Sequence, residues 1–224
     1  MAKSDATPLT IHIDGERTVS GLLTLPANAR AVYVLAPAAG SGMEQSFLVK
    51  FAPLLAERGI ATLRYQFPNA EAGSRRPDAP AAAHAAVRGA VAEAARLKLP
   101  IVAGGKSFGG RMTSQAEAGV PLGVAGLAFI GFPLHPPGKP ATTRADHLAD
   151  VNVPMLFLQG TRDELAEIDL LQPAVEKLGP RATLHLIPEA DHSFRVPAKT
   201  GRREADVMAE LADTLAAWID GLIG

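Results

Sequence analysis

The stretch Ile101-Val102-Ala103-Gly104-Gly105-Lys106-Ser107-Phe108-Gly109-Gly110-Arg111 decides how the rest of the chain is read. A short apolar run that ends in glycines and passes into a helix-forming segment reads as a strand, a sharp turn and a helix. Gly105, Ser107 and Gly109 make a G-x-S-x-G pattern inside it. A serine at the apex of such a turn carries strained dihedrals, so the residues two before and two after it must lack bulk, and glycine at both places meets that demand. With 21 glycines in 224 residues, roughly one chain in fourteen of this composition would hold the pattern by chance, before any flanking structure is required. Gly104-Gly105-Lys106-Ser107 also loosely echoes the end of a phosphate-binding loop. The first glycine of that motif would fall at position 100, however, which is Pro100. A serine nucleophile is the better reading, with the helix N-terminus placing partial positive charge beside a developing oxyanion.

Outward from this turn, short continuous apolar runs recur at Ala31 to Leu35, Ile60 to Leu63, Ile101 to Ala103, Val124 to Ile130, Met155 to Leu158 and Thr183 to Ile187. Runs without alternation are what strands buried on both faces of a parallel sheet look like. Alternation in Leu9 to Ile13 and Val19 to Leu25, with Asp14-Gly15 between them, predicts an antiparallel pair at the start. Helical composition fills Ser46 to Glu57, Ala79 to Lys98, Phe108 to Ala118, Leu165 to Leu178 and Arg203 to Ile219. Two leading strands followed by repeated strand and helix units predict an α/β fold: a mostly parallel, twisted sheet of about eight strands with helices on both faces. One domain is expected over residues 1–224, with residues 1–6 a flexible N-terminus.

Composition narrows the chemistry. The absence of cysteine rules out a disulfide scaffold, a thiolate metal site and a cysteine nucleophile. With 22 basic against 23 acidic side chains there is no basic excess to engage a phosphate backbone, so nucleic acid is not expected as a partner. No apolar stretch reads as a secretory signal or a membrane span. A cytoplasmic monomer or homodimer acting on a small molecule, with no metal and no cofactor, is the expectation.

A serine hydroxyl needs a base, and six histidines are present. His12 and His185 fall in strands, His84 in an Ala-rich helix, and His135 and His147 in the connection after the sixth strand. His192, in Glu189-Ala190-Asp191-His192-Ser193-Phe194, follows the last strand at the carboxyl edge where function gathers in such sheets. The imidazole needs an orienting carboxylate, and Asp163 in Gly160-Thr161-Arg162-Asp163 directly follows a buried strand. Glu164 is its rival, and Asp163 could alternatively cap the next helix. The chain order is serine, acid, histidine.

The segments Gly104 to Arg111, Gly160 to Asp163 and Asp191 to Phe194 resemble the α/β-hydrolase superfamily. More narrowly they are similar to small lidless hydrolases related to dienelactone hydrolase and to the testis-expressed protein 30 group. The resemblance runs from about Val32 to Ile219. It implies Ser107, Asp163 and His192 as catalytic residues and an oxyanion hole made by the backbone N–H groups of Phe108 and Ala39. Where these relatives carry a His-Gly-x-Gly type turn, this chain has Pro37-Ala38-Ala39-Gly40, which would restrict the turn if Ala38 required positive φ. Only His135 to Val153 separates the sixth and seventh strands, too little for a helical cap, so an open site for a small or soluble ester, lactone or thioester is expected. Arg64, Arg75 and Arg76 are candidates to pair with a substrate carboxylate, and His135 to contact substrate. A non-catalytic binding module, an acyltransferase or a perhydrolase would present the same residues.

Overall fold

The computed structural model describes residues 6–224, so the expected flexible N-terminus lies, apart from Ala6, outside the described residues. Eight strands form one sheet: β1 (Thr7–Asp14), β2 (Arg17–Thr24), β3 (Ala31–Ala36), β4 (Ile60–Tyr65), β5 (Ile101–Lys106), β6 (Gly126–Ile130), β7 (Met155–Gly160) and β8 (Ala182–Ile187). Their order is β1-β2-β4-β3-β5-β6-β7-β8. β2 runs antiparallel to both β1 and β4, and every other pairing is parallel. Among the described residues five α-helices lie between strands, α1 (Ser46–Glu57), α2 (Pro68–Glu71), α3 (Pro80–Ala95), α4 (Phe108–Gly119) and α5 (Ile168–Glu176), and a sixth, α6 (Glu204–Ile223), follows β8.

The unbroken apolar runs have a direct physical counterpart. Every residue of β3 is buried, and alternate side chains feed opposite layers. Val32, Val34 and Ala36 join the core under α3, α4 and α5, while Tyr33 and Leu35 join the core under α1 and α6. A strand covered on both faces has no reason to alternate apolar with polar residues. The first helix keeps its expected bounds. The strands mostly run a residue or more beyond the apolar runs, to Lys106 and Gly160 in β5 and β7, because glycine and polar residues continue the hydrogen-bonded ladder. The helix expected from Leu165 begins only at Ile168. Residues before it form a turn in which Asp163 Oδ1 accepts the Leu165 N–H at 2.8 Å, so Asp163 does not cap that helix.

From β3 the chain crosses to β4 on one side and then returns to β5 on the other. The carboxyl ends of β3 and β5, paired at Ala36 and Gly105, therefore flank the point where the winding reverses, and such a point leaves a crevice. The β6–β7 connection carries only a 3-10 helix, Thr143–Asp150, and no cap domain. No described helix is long and apolar enough to cross a membrane.

Candidate active site

Ser107 occupies the sharp turn between β5 and α4 with φ 51° and ψ −115°, a region that a residue with a Cβ tolerates only when its surroundings hold it there. The surroundings are tight. A Cβ on Gly105 would lie 2.3 Å from the Ala36 carbonyl oxygen, and one on Gly109 would lie 2.5 Å from that of Pro37. The glycines of the pattern are thus required by the end of β3 pressing on the turn. Gly104, outside the pattern, is under the same constraint from the other side, since its Cβ would sit 1.8 Å from the Ala128 carbonyl oxygen of β6.

Three strand ends bring together Ser107, His192 and Asp163. Ser107 Oγ–H donates to His192 Nε2 at 2.9 Å, and His192 Nδ1–H donates to Asp163 Oδ2 at 2.7 Å. A carboxylate can only accept, which fixes this tautomer. Asp163 is buried and its remaining lone pairs are used: Gln159 Nε2 donates to Oδ2 at 2.5 Å and Leu165 N–H to Oδ1. Gln159, itself fully buried, is held in turn by the Phe132 N–H on its Oε1 at 2.8 Å. Glu164, the rival acid, is exposed and takes no part.

The histidine loop is built to hold that ring. Asp191 Oδ1 accepts from the N–H groups of Ser193 and Arg195, so its carboxylate shapes the loop. Arg162 N–H donates to the Ala190 carbonyl and Glu189 N–H to Thr161 Oγ1, stitching the Asp163 turn to the His192 loop. Gly160 permits this closeness, because a Cβ there would meet the Ala190 carbonyl oxygen at 2.3 Å.

Lys106 takes a place that the phosphate-loop echo around it does not indicate. Its side chain is buried, and its Nζ donates to the His192 carbonyl oxygen at 2.6 Å while standing 5.2 Å from the Phe194 ring centroid. Gly131, at φ 67°, leaves room for both partners: a Cβ there would lie 2.9 Å from Lys106 Nζ and 3.4 Å from His192 Cε1. Burial pulls the ammonium down to about 8 from its usual 10.5, partly opposed by Asp163 and Asp191. The residue preceding the serine therefore grips the backbone of the histidine. Its only sequence signal is a lysine in an otherwise buried strand end.

The amides of Phe108 and Ala39 have no acceptor among the described residues, and the helix begun by Phe108 adds its dipole. Neither Ala38 nor Ala39 has positive φ. Gly40 supplies it, at 65°, so the Pro37-Ala38 replacement does not strain the turn. Gln45 Oε1 accepts the Ala38 N–H, and Arg64 Nη1 donates to the Met43 carbonyl. Arg64 is buried in bracing this loop and is corrected as a substrate contact. Arg75 packs its carbonyl against Gly40, and Arg76 lines a narrow cleft with Ala38, Ala39 and Phe108, both side chains being exposed. His135 is also corrected: it is fully buried, with Nε2 on the Glu167 carboxylate and Nδ1 beside the Pro136 carbonyl, and has no nitrogen free for a ligand. A groove of about 490 Å³ opens beside His192, lined by Pro137, Arg162, Glu164 and Arg195 among others.

Several solved structures share this architecture. A dienelactone hydrolase from Anabaena variabilis is 21% identical, with a TM-score of 0.76 over 96% of this chain and 97% of that one. A serine hydrolase without a lid from Xanthomonas campestris is 22% identical, with a TM-score of 0.73 over 97% of both chains. Est1E from Butyrivibrio proteoclasticus is 16% identical, with a TM-score of 0.71 over 98% of this chain and 99% of that one. These likenesses show the fold. Residues 29–220 match the family described as alpha/beta hydrolase domain, a span that takes in the serine turn, the Asp163 turn and the His192 loop. By that match and the sheet order, the chain belongs to the α/β hydrolase family.

Proposed function

We propose that the protein is a serine hydrolase that cleaves a small or soluble carboxylic ester, lactone or thioester through an acyl-enzyme. The observation that carries this reading is the unbroken chain of hydrogen bonds from Ser107 Oγ through His192 to Asp163 at 2.9 and 2.7 Å. Ser107 Oγ attacks the carbonyl carbon as His192 Nε2 takes its proton, and Asp163 holds the imidazolium so formed. Negative charge gathers on the carbonyl oxygen and is met by the N–H groups of Phe108 and Ala39. His192 then returns the proton to the leaving group. Water attacks the acyl-enzyme with His192 again as base, the acid departs, and Ser107 regains its proton. No metal or organic cofactor is needed for any of these steps.

The missing cap and the groove beside His192 favour a small substrate and give water a direct path to the acyl-enzyme. Labelling by a fluorophosphonate probe, with wild type beside Ser107→Ala, tests the reading. Labelling that depends on Ser107 is expected, and its absence in well-folded protein would overturn the hydrolase assignment. A series of 4-nitrophenyl esters of increasing chain length is expected to favour short acyl groups.

A further inference from the structure

Ester cleavage through Ser107 and His192 has a direction. The proton that His192 Nε2 takes from Ser107 Oγ, 2.9 Å away, is handed on to the leaving oxygen, so the leaving alcohol has to stand within hydrogen-bond reach of His192. The carbonyl oxygen belongs elsewhere, at the Phe108 and Ala39 amides. The two neighbourhoods differ in room. The cleft lined by Ala38, Ala39, Phe67 and Phe108 holds about 10 Å³, space for about one water molecule. The groove lined by His192 holds about 490 Å³, within the range of roughly 300–1,000 Å³ usual for small-molecule sites. Room for the bulk of an ester thus lies on the leaving-group side.

The lining of that groove says what kind of alcohol fits. Arg162 and Arg195 bring positive charge and Glu164 and Asp191 an equal negative charge, so nothing in the balance selects an ion. Its donors and acceptors are nonetheless unspent. Ser193 and Arg195 engage Asp191 Oδ1 through their backbone N–H groups, which leaves the hydroxyl and the guanidinium without a partner among the described residues. Glu164 is exposed and has none either. Arg162 Nη1 stands 3.9 Å from Glu189 Oε2, too far for a hydrogen bond. Leu165 and Val196 add apolar surface to the same groove. Donors and acceptors beside apolar carbon suit a molecule with the same mixture, hydroxyl groups on a compact carbon frame. An alkyl chain laid there would strip water from these groups and return no hydrogen bonds.

We propose that the groove is the leaving-group subsite and takes a neutral, hydroxyl-rich alcohol of the size of a sugar, so that the protein removes a short acyl group from a polyol ester. The chemistry of this statement rests on the hydrolase reading, whereas affinity of the groove for a polyol does not. In the step concerned the bond from Ser107 Oγ to the carbonyl carbon forms and the bond from that carbon to the polyol oxygen breaks. The electron pair leaves with the polyol oxygen, and His192 gives it the proton taken from Ser107. Water then releases the short acid and restores the serine hydroxyl.

Acid release at constant pH from 6-O-acetylglucose, ethyl acetate and hexyl acetate, three esters with one acyl group, isolates the leaving group. Acetylglucose is expected to show a kcat/KM about 10- to 100-fold above that of either alkyl ester. Arg195→Met and Glu164→Gln change exposed side chains only, and each is expected to lower the ratio of acetylglucose to ethyl acetate about 3- to 10-fold, through KM. Equal rates for the three esters, a preference for hexyl acetate, or wild-type ratios in both variants would overturn the subsite and leave the hydrolase. Binding is read separately by adding methyl glucoside to wild type and to Ser107→Ala, where the amide resonances of Arg162, Ser193 and Arg195 should shift. If no groove amide moves, the subsite is overturned, and the hydrolase keeps its own test. Shifts with no turnover of any ester would refute the hydrolase reading and leave the groove as a polyol site.

Discussion

Replacing Lys106 by methionine keeps most of the buried stem and removes the ammonium, so it isolates what the Nζ bond to the His192 carbonyl does. Two effects on stability oppose each other. Loss of a hydrogen bond from a charged donor costs about 1.5–3 kcal/mol. Against this, the pull from 10.5 to about 8 corresponds to about 3 kcal/mol held against the buried charge, which methionine relieves. The two nearly cancel, so the melting temperature should stay within about 5 °C of wild type. Catalysis has no such compensation. The His192 loop loses its tie to the strand that carries Ser107, and a displacement of about 1 Å between reacting groups typically costs about 10²-fold. We therefore expect kcat for a 4-nitrophenyl ester to fall about 10- to 100-fold in a protein of near-normal stability, with Lys106→Arg failing to restore it in so confined a space.

Stability against pH supplies a second signature of the same residue. Because its folded pKa lies below its unfolded one, the unfolded chain binds more protons between about pH 8 and 10.5, and this group makes stability rise with pH across that window. The rise should be missing in Lys106→Met when denaturant midpoints are followed from pH 7 to 10.5. A variant with wild-type kcat and a normal fold would refute the idea that Lys106 positions the histidine.

Other substitutions probe separate parts of the site. Asp163→Asn should lower kcat about 10⁴-fold by favouring the wrong imidazole tautomer, while Ser107 labelling by a fluorophosphonate slows in parallel; an undiminished rate would remove Asp163 from the mechanism. Gly160→Ala forces a Cβ to 2.3 Å from the Ala190 carbonyl, so urea midpoints should report about 1–3 kcal/mol lost and the rate should fall with them. Gln159→Leu strands the Phe132 N–H and one lone pair of Asp163, with a similar expected cost in stability and a measurable loss of kcat. His147 is held below its usual value, so the unfolded chain binds more protons between about pH 4 and 6.5 and stability falls as pH drops through that range. His147→Gln should flatten that acid slope by no more than about 2 kcal/mol, allowing for partial solvent exposure.

What the sequence reveals and what it hides divide along physical lines. The strands announce themselves because burial on both faces demands unbroken apolar runs, as in Ala31–Ala36. The serine turn is legible because its steric demand falls on residues two positions away. The placement of Asp163 and His192 follows from one rule, that loops after buried strands meet at the carboxyl edge. Lys106 escapes such reading, since its partner is a backbone oxygen 86 residues further on that leaves no mark of its own in the sequence. His135 misleads for a related reason: it stands in a Pro-rich connection that looks exposed, yet Glu167 draws it fully inside. The late start of α5 reflects competition, with Asp163 spending a carboxylate oxygen on the Leu165 amide and keeping the backbone out of helix until Ile168.

The sheet order has one more effect. Ser107 hangs from β5, flanked by β3 and β6, whereas His192 hangs from β8, which pairs with β7 alone and is largely half-buried. Ser107 is therefore anchored in a well-protected part of the sheet and its hydrogen-bond partner His192 at a marginal one, where local opening costs least. On gentle heating the β8 margin should loosen while the centre holds, so amides of β8 and the following loop exchange with deuterium ahead of those in β5. Activity would then fade, reversibly, at temperatures where the protein still looks folded.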